Sequence, residues 1–200
     1  MRVTQAFRFE LDPNYAARVA LAKHVGAARF AYNWGLSRCL QVLEQGLPLP
    51  SAAQLHKEWN RWKRQHAPWW VEVSKCAPQE ALRDLERAIR HWRQGRAGRP
   101  RFKRKKSLDD NTARLTGSIR VFPRHVQLPR IGKVRTKERT GKLLALLAAQ
   151  QSLGQPVARL RAHQIARGDH AGERYAQRLL GDAQTLGATD EPARGQLGRM

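Results

Sequence analysis

The densest chemistry in this chain lies between Arg96 and Lys106. Seven of those eleven positions are Lys or Arg, none is acidic, and one aromatic, Phe102, sits among them. Cations at this density repel one another unless a polyanion lies against them. Arg99, Arg101, Lys103, Arg104, Lys105 and Lys106 are therefore candidate phosphate contacts. Phe102 has two readings, a base-stacking ring or an anchor that ties the loop down. Two further cationic groups join the candidates: Arg61, Lys63 and Arg64 on a helix face, and Arg120 and Arg124 in a strand-rich segment. No residue stands out as catalytic. His163 and His170 lack the partners that a metal site needs. Cys39 and Cys76 are isolated, which fits reduced core thiols; a disulfide between them is the alternative.

The formal net charge of +22 and isoelectric point near 11.5 point to nucleic acid as the partner. A membrane surface also attracts cations. However, the basic amphipathic stretch Leu55–Arg64 is short, and no run of eighteen apolar residues exists. Met1–Leu11 mixes charged and apolar residues instead of forming a signal-peptide core, so a cytoplasmic location is expected. No small-molecule substrate is indicated. Residues 1–140 hold 30 of the 38 Lys/Arg and 11 of the 16 Asp/Glu, and all six Trp and five Phe lie before Arg124. The last sixty residues are rich in Ala, Leu, Gly, Gln and Arg, which places a compositional boundary near Gly141.

Several elements must position the cationic loop. Leu82, Leu85, Ile89 and Trp92 repeat at helical spacing, so a helix from Ala77 should deliver the chain to it, with Pro78 in the first turn and Gly95 closing the end. Upstream, Phe7, Phe9 and Leu11 alternate as in a half-buried strand, with Val3 on the same face. Asp12-Pro13 reads as a helix start, and a helix to about His24 buries Tyr15, Val19 and Ala22. Gly26 suggests a break before a second helix, Ala27–Gln45, with Phe30, Trp34, Leu36, Leu40 and Leu43 as its apolar set. Ser51 and Gln54 form a capping-box pattern opening a third helix, with Leu55, Trp59 and Trp62 inward and Lys57, Arg61, Lys63 and Arg64 outward. A tryptophan stripe at helical spacing reads first as core and second as a base-stacking surface.

Ser107–Thr116 is polar and reads as flexible. Ile119-Arg120-Val121 and Val126-Gln127-Leu128 alternate like short strands, with Gly132 at a turn or bulge. The expected fold class is α+β: a helical domain inserted into a small, partly open basic β-barrel, followed by a loosely structured or helical tail. The expected segments are 1–12 as the first barrel strand, 13–95 as the helical domain, 96–117 as basic loop and linker, 118–140 as the remaining strands, and 141–200 as the tail. Residues 143–151 and 173–181 could form short helices there, with little packing.

Four motifs resemble the N-terminal part of the OrfB/TnpB insertion-sequence transposases, a family of RNA-guided nucleases related to type V CRISPR effectors. Phe7-Arg8-Phe9-Glu10-Leu11-Asp12-Pro13 is similar to the opening strand and turn. Ala28–Trp34 resembles the RFxYNW helix, Gln79–Ala88 the QxALRDLxRA helix, and Gly98–Lys103 the GxPRFK loop. With the strand region to about Thr140, the likeness covers roughly two-thirds of the chain. It implies a helix-turn-helix-like region within a barrel, together holding a guide RNA and DNA. Asn33, polar within an apolar helix, needs partners for its amide, either structural or at a nucleic-acid contact.

The family's nuclease domain, with three metal-binding carboxylates and a CxxC…CxxC zinc site, has no counterpart in the sequence to residue 200. The acids of the tail are Asp169, Glu173, Asp182, Asp190 and Glu191, and no cysteine follows Cys76. Its composition is what a GC-rich gene gives when translated in a wrong frame. The reading is a nucleic-acid-binding fragment of a transposase, associated with DNA transposition and recombination, without catalysis or cofactors in this chain. The divalent metal and zinc would belong to the missing domain, and the partner is DNA, guide RNA or both. Two alternatives stand: part of an RNA-guided endonuclease completed by frameshifting, or a stand-alone basic RNA/DNA-binding regulatory protein with a genuine tail.

Overall fold

Phe9 and Leu11 point into the core and Phe7 is half-buried, so the alternation of the first segment becomes strand β1, Gln5–Asp12. The computed structural model describes residues 5–107, 110–152, 159–167 and 174–182. Val3 lies outside them. The helix after β1 starts two residues later than Asp12-Pro13 suggests. Asp12 is still paired in the sheet opposite Arg135. Asn14 is the N-cap, its Oδ1 accepting the Ala17 N–H at 2.9 Å.

Helix α1 runs unbroken from Tyr15 to Glu44. The break expected at Gly26 does not occur, because one interior glycine costs only about 1 kcal/mol against alanine. The buried face is also different from the one expected. Tyr15 is 83% exposed, and Val19 and Ala22 are exposed, whereas Leu21, His24, Val25, Ala28, Ala31, Tyr32 and Leu36 are buried. Alanines carry much of this face, so bulk hydrophobicity marks the wrong stripe. Gly35 explains the close approach of α1 to helix α3 (Cys76–Arg93): a Cβ there would lie 2.7 Å from Leu82 Cδ2 and 2.9 Å from Leu85 Cδ2.

Helix α2, Ala52–His66, opens with the expected capping box between Ser51 and Gln54. A 3₁₀ segment, Pro68–Glu72, leads to α3. On α3, Leu82, Leu85 and Ile89 are buried, as their spacing predicts, and Trp92 is half-buried. Gly95 (φ 68°) ends the helix, and the Arg96 N–H donates to the His91 carbonyl at 2.9 Å, a Schellman-type closure. Cys39 and Cys76 are free thiols.

The strands β2 (Thr112–Leu115), β3 (Arg120–Phe122), β4 (His125–Leu128), β5 (Gly132–Thr136), β6 (Arg159–Arg167) and β7 (Arg174–Asp182) join β1 in one antiparallel sheet. The order is β2-β6-β7-β1-β5-β4-β3, so the three long helices are inserted between β1 and β2. This is the expected α+β arrangement with a helical insertion. The barrel itself is not closed among the described residues: β2 and β3 stand at the two edges of the sheet.

Residues 112–115, read as flexible, form β2, because Ala113 and Leu115 alternate into the core. Residues 173–181, read as a helix, fall mostly in β7, which pairs with both β1 and β6. Its backbone supplies the ladder partners that the second edge of β1 requires. Residues 143–151 do lie in a helix, α4 (Gly141–Ser152), but not a loosely attached one: Leu143 is fully buried in the core. The Thr140 N–H donates to the Pro123 carbonyl at 3.1 Å, tying the start of α4 to the sheet. The compositional boundary near Gly141 is therefore not a break in packing. Residues 153–158, 168–173 and 183–200, with His170, Asp169, Glu173, Asp190 and Glu191, lie outside the described residues.

Candidate nucleic-acid interface

The cationic loop is held by its backbone. Lys103 donates its N–H to Asn33 Oδ1 at 2.8 Å, and its carbonyl accepts from Asn33 Nδ2 at 2.9 Å. The Arg104 N–H donates to Asp110 Oδ2 at 2.9 Å. The Lys105 carbonyl accepts from Asn111 Nδ2 at 2.6 Å, and Asn111 Oδ1 accepts from the Arg29 guanidinium at 2.6 Å. Three successive loop residues are thus fixed by amide and carboxylate side chains from α1 and the approach to β2. With the main chain fastened from below, Arg101, Arg104, Lys105 and Lys106 are exposed, and Phe102 is 47% exposed. The partners of the Asn33 amide are structural.

Lys103 behaves differently from its neighbours. It is half-buried, with Nζ 4.8 Å from the centre of the Tyr32 ring. Burial lowers its pKa from the ordinary lysine value, while Asp84 and Asp110 oppose that shift. Behind it, Arg114 on β2 reaches back to α3, where it pairs with Asp84 and lies 3.7 Å from Glu80 Oε2. Glu80 is buried and also takes Arg83 at 2.5 Å. Burial raises the Asp84 pKa, and Arg114, Arg87 and Lys103 pull it back. This ion-pair cluster docks β2, and with it the far end of the loop, onto α3. Asp110, Asn111 and Arg114 were not singled out in the sequence, and Arg29 and Asp84 entered only as positions of the RFxYNW and QxALRDLxRA motifs. Their partners lie 6 to 82 positions away, so no local pattern marks these contacts.

The other candidates separate by exposure. On α2, Arg61 and Arg64 are exposed, but Lys63 is buried. Its Nζ sits 3.8 Å from the centre of the Trp70 ring. The expected outward lysine faces inward because the 3₁₀ segment folds Trp70 over it. Arg99 is exposed, its guanidinium 5.8 Å from the Trp92 ring centre. Arg120 and Arg124 are exposed on β3 and the β3–β4 turn. The exposed candidates thus ride on three elements, and the loop alone presents a contiguous run. The tryptophan stripe is mainly core: Trp59 is 1% exposed, and Trp34 and Trp62 are half-buried around it.

A groove of about 750 Å³ lies between the 3₁₀ segment with the start of α3 and the turns of the sheet. Lys75 and Arg130 are exposed on its walls, and Trp70 and Gln127 line it. No helix among the described residues is long and apolar enough to cross a membrane.

A helix-turn-helix domain model of the OrfB family matches residues 1–47. The described part of that match is β1 and the whole of α1. Two Mycobacterium tuberculosis proteins, from different strains and named as RNA-guided DNA endonucleases, are 35% identical over 167 residues, covering 72% of this chain and 36% of each relative. The Escherichia coli protein InsQ, also named as an RNA-guided DNA endonuclease, is 32% identical over 110 residues, covering 54% of this chain and 27% of its own length. The chain thus spans about a third of the length of the curated relatives it matches. These likenesses show that this chain carries an N-terminal region of the OrfB/TnpB transposase family.

Proposed function

We propose that this region binds nucleic acid as part of a transposon-encoded OrfB/TnpB-type protein. The observation that carries the reading is the loop 101–106, whose main chain is fixed by Asn33, Asp110 and Asn111 while four cationic side chains stay exposed. Pre-ordering the backbone lowers the entropy lost when those side chains meet phosphates. The names of the relatives, RNA-guided DNA endonucleases, support RNA, DNA or both as the ligand. In this reading the region itself does no catalysis, and a nuclease domain would be supplied elsewhere.

The test is binding to single- and double-stranded RNA and DNA across a salt series. Alanine at Arg101, Arg104, Lys105 and Lys106 should weaken binding to all sequences. It should also reduce the slope of log affinity against log salt by about 0.7–0.9 for each phosphate that is no longer neutralised. Lys63→Ala should leave the salt slope unchanged. Unaltered binding by the loop variant would rule out the loop.

The altered composition beyond Gly141 supports a change of reading frame there. A second reading, a stand-alone basic RNA- or DNA-binding protein with a folded tail, is favoured by the β6–β7 hairpin seated between β2 and β1. Reading the coding DNA in all three frames from codon 135 separates them. A frame that continues into aspartate-bearing strands and paired cysteines supports the first; its absence supports the second.

A further inference from the structure

On α1, Val19, Lys23, Gly26 and Phe30 follow one another at i, i+4, i+7 and i+11, on the side turned away from α3. Val19 and Phe30 are 37% and 41% exposed. The 3₁₀ segment brings Trp69 (36% exposed) against Phe30, with ring centres 5.5 Å apart and planes at 87°. Beside this ring pair, between α1 and the 3₁₀ segment, lies a pit of about 440 Å³, lined by Gly26, Ala27, Phe30, Trp69, Val73, Lys23 and Glu72. That volume falls in the range of small-ligand sites, about 300–1,000 Å³.

Three features of the pit are independent of one another. Its aromatic wall is rigid: Phe30 is backed by Trp59 at 6.0 Å and Trp62 at 5.7 Å. Its rim carries a donor and an acceptor side by side, since Lys23 Nζ pairs with the Glu72 carboxylate. Its floor is a glycine that the fold itself does not explain. Gly26 has no positive φ, and a Cβ built there meets nothing within 4 Å. An alanine would stabilise the helix and touch nothing, so the missing Cβ leaves room for an occupant.

We infer that the pit receives one unstacked nucleobase from a single strand. The inference rests on the nucleic-acid reading above and adds a base subsite to it. A base offers a flat face to one of the two perpendicular rings, Trp69 or Phe30, an edge to the other, and hydrogen-bonding groups to the Lys23–Glu72 pair. Arg61 and Arg64, exposed on the helix that backs Phe30, supply cations for the strand's phosphates. The chain's net charge of +22 favours such a polyanion over a protein segment as occupant.

The full chain and Gly26→Leu are compared on two short single strands, one carrying 2-aminopurine and one with that base removed. Leucine is a good helix former, so circular dichroism and Tm should be unchanged or improved. Binding to wild type should quench the 2-aminopurine emission. Gly26→Leu should lose that quenching and about tenfold in affinity for the base-bearing strand, while both proteins bind the abasic strand equally. Trp69→Leu should lose the same increment without filling the pit. Equal affinities of wild type and Gly26→Leu for the base-bearing strand, or an equal loss on the abasic one, overturn the subsite. The first of these is what a pit built for a protein side chain would give. If wild type binds neither strand at low salt, the nucleic-acid reading falls and the subsite with it. If wild type binds and only the Gly26 comparison fails, the subsite alone falls.

Discussion

Asn33 holds Lys103 as a neighbouring strand would, accepting from its N–H at 2.8 Å and donating to its carbonyl at 2.9 Å across seventy positions of sequence. A helix side chain thereby satisfies both backbone polar groups of a residue in the middle of a cationic loop. Asn33→Ala removes both partners. It should cost about 1–3 kcal/mol and free the loop. Chemical denaturation reads the first effect, and faster tryptic cleavage between Arg101 and Lys106 the second. Unchanged proteolysis would mean that Asp110 and Asn111 suffice to hold the loop.

Arg114 is the hub of the cluster that docks β2 on α3, and its side chain is 11% exposed. Removing it takes the paired cation from Asp84 and leaves the buried Glu80 with Arg83 alone. Arg114→Ala should destabilise the fold by about 3–5 kcal/mol, the range for breaking one side of a buried pair. In a double-mutant cycle with Asp84→Ala, the second substitution should recover part of that loss. Strict additivity of the two would show that the residues do not couple.

Gly35 lets α1 close on two fully buried leucines of α3, Leu82 and Leu85. Gly35→Ala gains helix propensity of about 1 kcal/mol and pushes a methyl into Leu82 and Leu85. Overpacking of this kind costs about 1–3 kcal/mol, so the net change should be a loss of stability. Alanine at Gly26 should have the opposite sign, since no contact opposes it. Thermal melts of the two variants, compared side by side, check the contrast.

His24 is fully buried between two backbone groups. Its Nε2 accepts the Ser74 N–H at 2.9 Å, so Nδ1 carries the proton and faces the Ala20 carbonyl at 2.7 Å. Burial lowers its pKa from 6.5, opposed by the Ala20 hydrogen bond. The unfolded chain therefore takes up a proton before the folded one does. The stability that neutral His24 contributes is complete above pH 6.5 and is lost as pH falls through the lower folded value. Denaturation between pH 7.5 and 5 should show this loss, with a slope approaching about 1.4 kcal/mol per pH unit from this group. His24→Leu should remove that slope and cost about 1–3 kcal/mol at pH 7.5 by leaving the Ser74 N–H unpaired.

Features that are local in the chain were legible from its residues alone. Alternation gave the strand ending at Asp12, the capping box fixed the start of α2, and the Leu82–Ile89 stripe and Gly95 gave α3 and its end. These rest on neighbouring residues and on backbone preferences that act over a few positions. Charge density alone marked the loop, and four motifs in order gave the family. Only the tertiary structure decided which cations face solvent. Lys57 and Arg61 stay out on α2, while Lys63, on the same helix, is taken in by Trp70. The helical repeat sets Lys63 four positions after Trp59, beside the buried stripe, and Lys57 and Arg61 on the far side; what no repeat shows is the ring of Trp70, from the next element, that covers the lysine. The same holds for the buried face of α1, chosen by close contact with Leu82 and Leu85 through Gly35 and not by hydrophobic bulk. It holds too for β7, where an open edge of β1 sets the conformation of a segment whose composition suggests a helix.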